Sequence, residues 1–289
     1  MTGQSGFVRS NDARIWYEHR APQGEARGTV MLIMGIAADA LVWPPQLIED
    51  LLAEGYRVIR YDHRDTGQSV SDHRRYTLVD MADDTRAILD TLDIERAHIV
   101  GVSMGGMIAQ ELALNTPERV ASLSLLMSTA DAMDPELPPL SLKVGFDLTR
   151  AAIKYRTIPS ERGRMRLQMV THRVIAGDAW DGYDLQYVAQ QVLYNLRQRD
   201  GYNLIAVPRH LHAVRNSPPR LERLRDLDLP TLVIHGELDP LIPVSHGRKL
   251  AETIPVARGV WLEGLGHDLK PQRASEVTGE LLEHFEVDA

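Results

Sequence analysis

Three residue types in this chain could together make a hydroxyl reactive: a serine, a histidine and an aspartate, each lying just past an apolar run. Ser103 stands in Gly101-Val102-Ser103-Met104-Gly105-Gly106, directly after Ala97-His98-Ile99-Val100 and before the helix-compatible stretch Met107 to Leu114. A β-branched run that ends in G-x-S-x-G and passes at once into a helix is the pattern of a nucleophile elbow. Such a turn strains the serine backbone and needs small flanking residues, which Gly101 and Gly105 supply. It lifts the hydroxyl clear of its neighbours and puts the free N–H groups of a helix N-terminus behind a developing oxyanion. A glycine-flanked serine in an ordinary turn is the plainer reading of the motif alone, and the strand-before, helix-after context favours the reactive one.

A serine hydroxyl is a poor nucleophile until a base takes its proton. His267, in the glycine-rich turn Gly264-Leu265-Gly266-His267-Asp268, is the expected base; an imidazole with an ordinary pKa of ~6.5 can accept that proton and return it to a leaving group. Asp239, in Gly236-Glu237-Leu238-Asp239-Pro240, is the expected partner that holds the ring in one tautomer. Glu237 in the same loop competes for this role, and Asp131 after an earlier strand is a weaker competitor. An oxyanion needs two N–H donors: the amide of Met104 is one, and the loop Gly35-Ile36-Ala37 supplies the other, Ile36 ahead of Ala37. The run Asp62-His63-Arg64-Asp65 is expected to stabilise its own turn and the neighbouring loop. His63 with Asp65, and His210 with His212, lack the further ligands a metal site needs. No phosphate-binding or dinucleotide fingerprint is present, so neither metal nor cofactor is expected.

These groups need a scaffold that gathers strand ends. Phe7-Val8-Arg9 and Arg14 to His19 read as an antiparallel opening hairpin. Thr29 to Met34, Arg57 to Tyr61, Ala97 to Val100, Val120 to Leu126, Leu229 to Ile234 and Val260 to Leu262 read as strands, several of them continuously apolar as in a sheet buried on both faces. Helices are expected over Gln46 to Glu54, Leu78 to Leu92, Val244 to Thr253 and Pro271 to Phe285. Strands alternating with helices imply an α/β fold with a mostly parallel, eight-stranded sheet and helices on both faces. In such a sheet functional groups collect at the C-terminal strand ends, where Ser103, Asp239 and His267 all fall.

Between about 131 and 220 the pattern changes. No strand signal is convincing, Pro135, Pro138 and Pro139 open the stretch, and Pro208, Pro218 and Pro219 close it. The expected organisation is a core domain of residues 1–130 and 221–289 with a helical cap at 131–220. That stretch holds 13 Lys/Arg against 9 Asp/Glu, a balance of +4, which leaves −12 for the rest of a chain whose net charge is −8. Trp180, Tyr183, Tyr187 and Tyr194 recur at helical spacings. Packing of the cap against the core is the first reading of this stripe and pocket lining the second.

With 289 residues, 44% hydrophobic and 25% charged, the chain has the make-up of an ordinary globular protein with a substantial core. The acidic balance argues against a nucleic-acid partner. There is no cysteine, hence no thiol nucleophile or disulfide framework. No signal-like start or stretch of ~20 apolar residues occurs, so a cytoplasmic address and no membrane partner are expected. A homodimer is left open.

Read together, these features identify the chain as a member of the α/β-hydrolase superfamily, whose triad runs in the same order of serine, acid, histidine. The stretch Val58 to Ser69, with Met34-Gly35 and Trp43-Pro44, resembles the aclacinomycin methylesterase group, whose members hydrolyse a methyl ester on an anthracycline polyketide. The resemblance implies Ser103 as nucleophile, Asp239 and His267 as its partners, and the Ile36 and Met104 amides as oxyanion donors. It departs from the commoner superfamily pattern at Met34-Gly35, where His-Gly is usual. The expected activity is a cofactor-free serine hydrolase acting on a small-molecule carboxylic ester, methylesterase-like, with a bulky apolar or polyketide-type substrate. Lactone or carbon–carbon bond hydrolysis, perhydrolysis, and a non-catalytic binding protein are the alternatives.

Overall fold

The structure is a computed structural model and describes residues 3–72, 75–156, 160–199 and 206–286. Strands β1 (Gln4–Ser10) and β2 (Ala13–Arg20) form the opening hairpin. Asn11 turns it with φ 49°, a conformation asparagine tolerates because its side chain bonds locally. The sheet continues through β3 (Gly28–Ile33), β4 (Tyr56–Tyr61), β6 (Ala97–Val102), β7 (Val120–Leu126), β8 (Thr231–Gly236) and β9 (Ala257–Leu262), in the order β1-β2-β4-β3-β6-β7-β8-β9. From β4 to β9 every pairing is parallel, while β1 with β2 and β2 with β4 are antiparallel. A ninth strand, β5 (Val70–Ser71), adds to the expected eight by pairing with β2. Two residues carry no periodicity, so only the tertiary pairing makes them a strand.

Along β3 the side chains divide by parity, as a pleated strand requires. Met31 and Ile33 enter the core with α2 (Leu78–Thr91) and α3 (Met104–Asn115). Val30 and Leu32 enter the opposite core with α1 (Pro45–Ala53) and α10 (Ala274–Phe285). Burial on both faces explains the unbroken apolar runs in the central strands. Thr77 and Asp80 cap α2 reciprocally, each satisfying a backbone donor of the first turn. Among the described residues no helix is long and apolar enough to cross a membrane.

Between β7 and β8 the described residues form helices and no strand: α4 (Leu142–Arg156), α5 (Glu161–Ala176), α6 (Leu185–Arg199), α7 (Ala206–Arg215) and α8 (Leu221–Leu224). Pro208 lies inside α7 instead of closing the helical stretch as expected. This segment has a small core of its own around Ala176, Tyr183, Val188, Val192 and Leu196. Polar ties bind it to the loops at the strand ends. Asn195 Nδ2 donates to both carboxylate oxygens of Asp39, and the Arg199 guanidinium bonds Asp62 while lying 4.1 Å over the Trp16 ring. His172 Nδ1 meets Asp268 Oδ2 at 2.8 Å, one residue past His267.

Burial alone would lower the His172 pKa, but the charge and hydrogen bond of Asp268 outweigh it and raise the group above its usual value. A raised histidine pKa stabilises the fold below the unfolded value of ~6.5, and the contribution fades as pH climbs through the folded value. The loss of melting temperature caused by His172→Ala is therefore expected to be larger at pH 5.5 than at pH 8.5. Equal losses at the two pH values would remove the charge coupling.

Candidate active site

Ser103 links β6 to α3 with φ 55° and ψ −119°, a backbone conformation that side chains rarely adopt. The turn is locked from several sides. Ser103 N donates to Leu126 O at 2.9 Å, and Ser128 Oγ donates to Ser103 O at 2.8 Å. A Cβ on Gly105 would overlap the carbonyl oxygens of Ile33 and Met34, and one on Gly101 would overlap Gly105 O. The two glycines are thus required by close backbone approach, with β3 passing directly behind the elbow.

His267 reaches Ser103 from the loop after β9. Its Nε2 lies 3.0 Å from Ser103 Oγ, and its Nδ1 lies 2.7 Å from Asp239 Oδ2. The carboxylate partner fixes Nδ1 as the donor, which leaves the Nε2 lone pair facing the hydroxyl proton. The glycine-rich turn has a packing reason as well: the end of α5 presses on it, a Cβ at Gly266 would overlap Ala176 O, and His267 N donates to Ile175 O at 2.9 Å.

Asp239 is surrounded by donors. Its Oδ1 accepts the amides of Leu241 and Ile242 at 2.8 Å each, and its Oδ2 takes His267 together with His235 Nε2 at 3.2 Å. Burial by itself would raise this carboxyl, but the charge of His267 and the hydrogen bonds from both histidines hold it below the usual carboxylate range. Ser103, Asp239 and His267 are all buried, at 8%, 8% and 7% exposure. The two competing acids make other contacts. Glu237 is exposed and faces Arg248 at 3.6 Å, while Asp131 accepts Met133 N within its own turn.

The loop after β3 borders the serine: a Cβ built on Gly35 would stand 3.4 Å from Ser103 Cβ. Ala37 is excluded as a free donor, because its amide donates to His210 Nδ1 at 3.0 Å. Among the described residues no protein acceptor takes the amides of Ile36 or Met104. The turn after β4 props this loop at two points. His63 Nε2 donates to Met34 O at 2.7 Å, and Asp62 Oδ1 accepts Ala40 N at 2.9 Å. Burial, reinforced by His210, pushes His63 down to about 3, so it stays neutral. Arg64, 1% exposed, grips both oxygens of Asp84, and Asp65 accepts from Ser71 and Tyr76.

His210 and His235 are polar neighbours of the site that no sequence motif marks. In the sequence His210 stands out only as an incomplete metal pair with His212. Its place on the stripe Ala206, His210, Ala213 marks it as inward-facing on α7, but nothing local names its partners. The aromatic stripe divides. Tyr183 and Tyr187 line a cavity of about 60 Å³ with Trp43, Pro44, Val192 and Leu269, while Trp180 stacks on Tyr183 and Tyr194 is exposed.

A family model described as the alpha/beta hydrolase fold matches residues 28–273. The chain belongs to the α/β-hydrolase family. Within it, the chain is 30% identical over 286 residues to rhodomycin D methylesterase of Streptomyces peucetius, covering 91% of this chain and 92% of that one. Among solved structures, a hydrolase from Pseudomonas aeruginosa superposes with a TM-score of 0.75 at 26% identity, covering 98% of this chain and 99% of that one. The esterase of Exiguobacterium antarcticum superposes with a TM-score of 0.78 at 21% identity, over 97% and 98% of the two chains, a likeness of fold.

For this hydrolase-fold chain the backbone contact behind the elbow sets a clear expectation. Gly105→Ala should cost ~3 kcal/mol or more, because rigid carbonyls have to move to admit the methyl group. A melting curve checks this, and an unchanged melting temperature would show that the elbow can relax.

Proposed function

We propose that this chain is a serine hydrolase of carboxylic esters that works through an acyl-enzyme on Ser103. The observation that carries the reading is the unbroken hydrogen-bond line from Asp239 through His267 to Ser103, with bonds of 2.7 and 3.0 Å. Ser103 Oγ attacks the ester carbonyl carbon while its proton passes to His267 Nε2, and the oxyanion takes the N–H groups of Ile36 and Met104. Asp239, kept charged, stabilises the imidazolium. Collapse breaks the bond to the alcohol, which leaves with the proton from His267. A water that gives its proton to His267 then attacks the acyl carbon, and the acid departs as Ser103 regains a proton.

Residues 131–220 act as a lid on a core of residues 1–130 and 221–289. Supporting this role, the helices of that segment are tied by side chains to the loops at the strand ends, and the serine beneath is buried. A cavity of about 60 Å³ lies between this segment and the loop of Trp43, and none of Ser103, Asp239 or His267 lines it. The substrate class we favour is the methyl ester of a bulky, largely apolar molecule of polyketide type. The similarity to a rhodomycin D methylesterase supports this class.

Ser103→Ala is expected to lower kcat by ~10⁴-fold or more with little change in melting temperature. Asp239→Asn should cost ~10³ to 10⁴-fold and Glu237→Gln less than about 2-fold, measured on one ester. The reverse ranking would move the acid to Glu237. A panel of polyketide methyl esters, p-nitrophenyl esters of graded chain length, lactones and acetate with hydrogen peroxide tests the substrate class. Faster lactone opening or peracid formation than methyl-ester cleavage would overturn it.

A further inference from the structure

We infer that His210, carried by α7, is a positioning residue for the oxyanion loop: it holds the Ala37 amide, and through it the turn that presents the Ile36 N–H to Ser103. The inference rests on the roles proposed above for Ser103 and Ile36.

Ala38 N donates to Gly35 O at 3.3 Å, closing a four-residue turn with Ile36 and Ala37 at its centre. Ala37 has φ 55° while Ile36 does not have positive φ. A positive φ at the third position is the signature of a type II turn, where glycine is normally required. An alanine there is under strain and would relax to the type I form by flipping the peptide between residues 36 and 37. That flip would turn the Ala37 N–H away from its present partner and point the Ile36 carbonyl there instead, unseating the loop that carries the Ile36 N–H. The acceptor that opposes it is His210 Nδ1, at 3.0 Å from Ala37 N.

The opposite ring nitrogen fixes the imidazole. His210 Nε2 lies 2.9 Å from Arg64 O, and a carbonyl can only accept, so Nε2 carries the proton and Nδ1 is a lone pair. The ring is fully buried, packed edge-on against His63 at 5.9 Å and against Tyr76 at 6.1 Å between centroids. Burial lowers its pKa to about 4, which keeps the acceptor available at neutral pH. The residue before the loop is held in the same manner, by His63 on Met34 O. One histidine thus donates to the loop and the other accepts from it. Both lie away from the reacting atoms, and His210 comes from the segment between β7 and β8, so the α7 helix and the oxyanion loop are braced together.

The side-chain amides separate the two bonds. In His210→Asn the Oδ1 atom falls near the place of Nδ1 and retains an acceptor for Ala37. In His210→Gln the amide reaches the place of Nε2, keeps the bond to Arg64 O and drops the one to Ala37. We expect His210→Gln to lose ~10 to 100-fold in kcat with KM within about 2-fold, up to the loss seen when one oxyanion donor is removed. Affinity for a boronate that mimics the tetrahedral state should fall in the same proportion. His210→Asn should recover to within about 5-fold of wild type, with rates normalised to folded protein by near-ultraviolet circular dichroism. Equal activity of the two variants overturns the inference, as does a loss confined to KM. Turnover retained by Ser103→Ala would overturn the underlying reading as well, whereas an inactive Ser103→Ala beside a fully active His210→Gln overturns the inference alone. Should His210→Gln not fold, the wild-type protein supplies the check. Boronate binding is expected to shift the His210 Nδ1 resonance and slow exchange of the Ala37 amide, and no change in either overturns the proposal.

Discussion

The constraint on which the rest of the molecule depends is the crowding of backbone behind Ser103. The helix α3 begins so close to β3 that the carbonyls of Ile33 and Met34 leave no room for a side chain at position 105. Under that contact the serine has no relaxed conformation available and keeps φ 55°. Strain of this kind, of order 1–3 kcal/mol, persists only where neighbours over-determine it. Here they do: β6 lies between β3 and β7 in the middle of the sheet, and Leu126 and Ser128 bond the serine backbone from the β7 side. The same crowding projects the hydroxyl outward to meet the imidazole.

Around the elbow, histidines take their roles from their partners. A carbonyl partner forces a ring nitrogen to donate, as His63 does to Met34 and His210 does to Arg64. An amide partner forces it to accept, as Ala37 does with His210. A carboxylate held charged by several donors forces Nδ1 of His267 to carry the proton. Burial keeps His63 and His210 neutral, so the loop they brace has one arrangement near neutral pH. His267 is set apart because its free nitrogen faces a hydroxyl.

Much of the architecture was legible in the chain. Continuous apolar runs marked the strands buried on both faces, since alternation disappears when both sides are covered. Gly101 and Gly105 announced the elbow, and Gly264 and Gly266 announced the histidine turn. The reasons proved partly different: Gly264 takes the positive φ of the turn, 70°, while Gly266 makes room for the end of α5. Other features had no local signal. β5 is two residues long, and Pro208 sits within α7 and not at the exit of the helical stretch, which it was expected to mark with Pro218 and Pro219. Glu237 and Asp239 stand two residues apart in one loop, and the sequence offered only turn chemistry to rank them.

The sequence by itself determined which residues could form strands, where a serine could be thrust from a tight turn, and the strand ends at which an acid and a base would have to lie. These are local matters of period, side-chain size and backbone freedom. Only the tertiary structure decided that Asp239 and not Glu237 meets His267, and that the Ala37 amide is taken by His210 so that Ile36 remains free. The physical reason is that a hydrogen bond depends on the position of its partner to within a few tenths of an ångström. Residues 37 and 210 acquire that precision only when sheet, loops and helices have packed into one body.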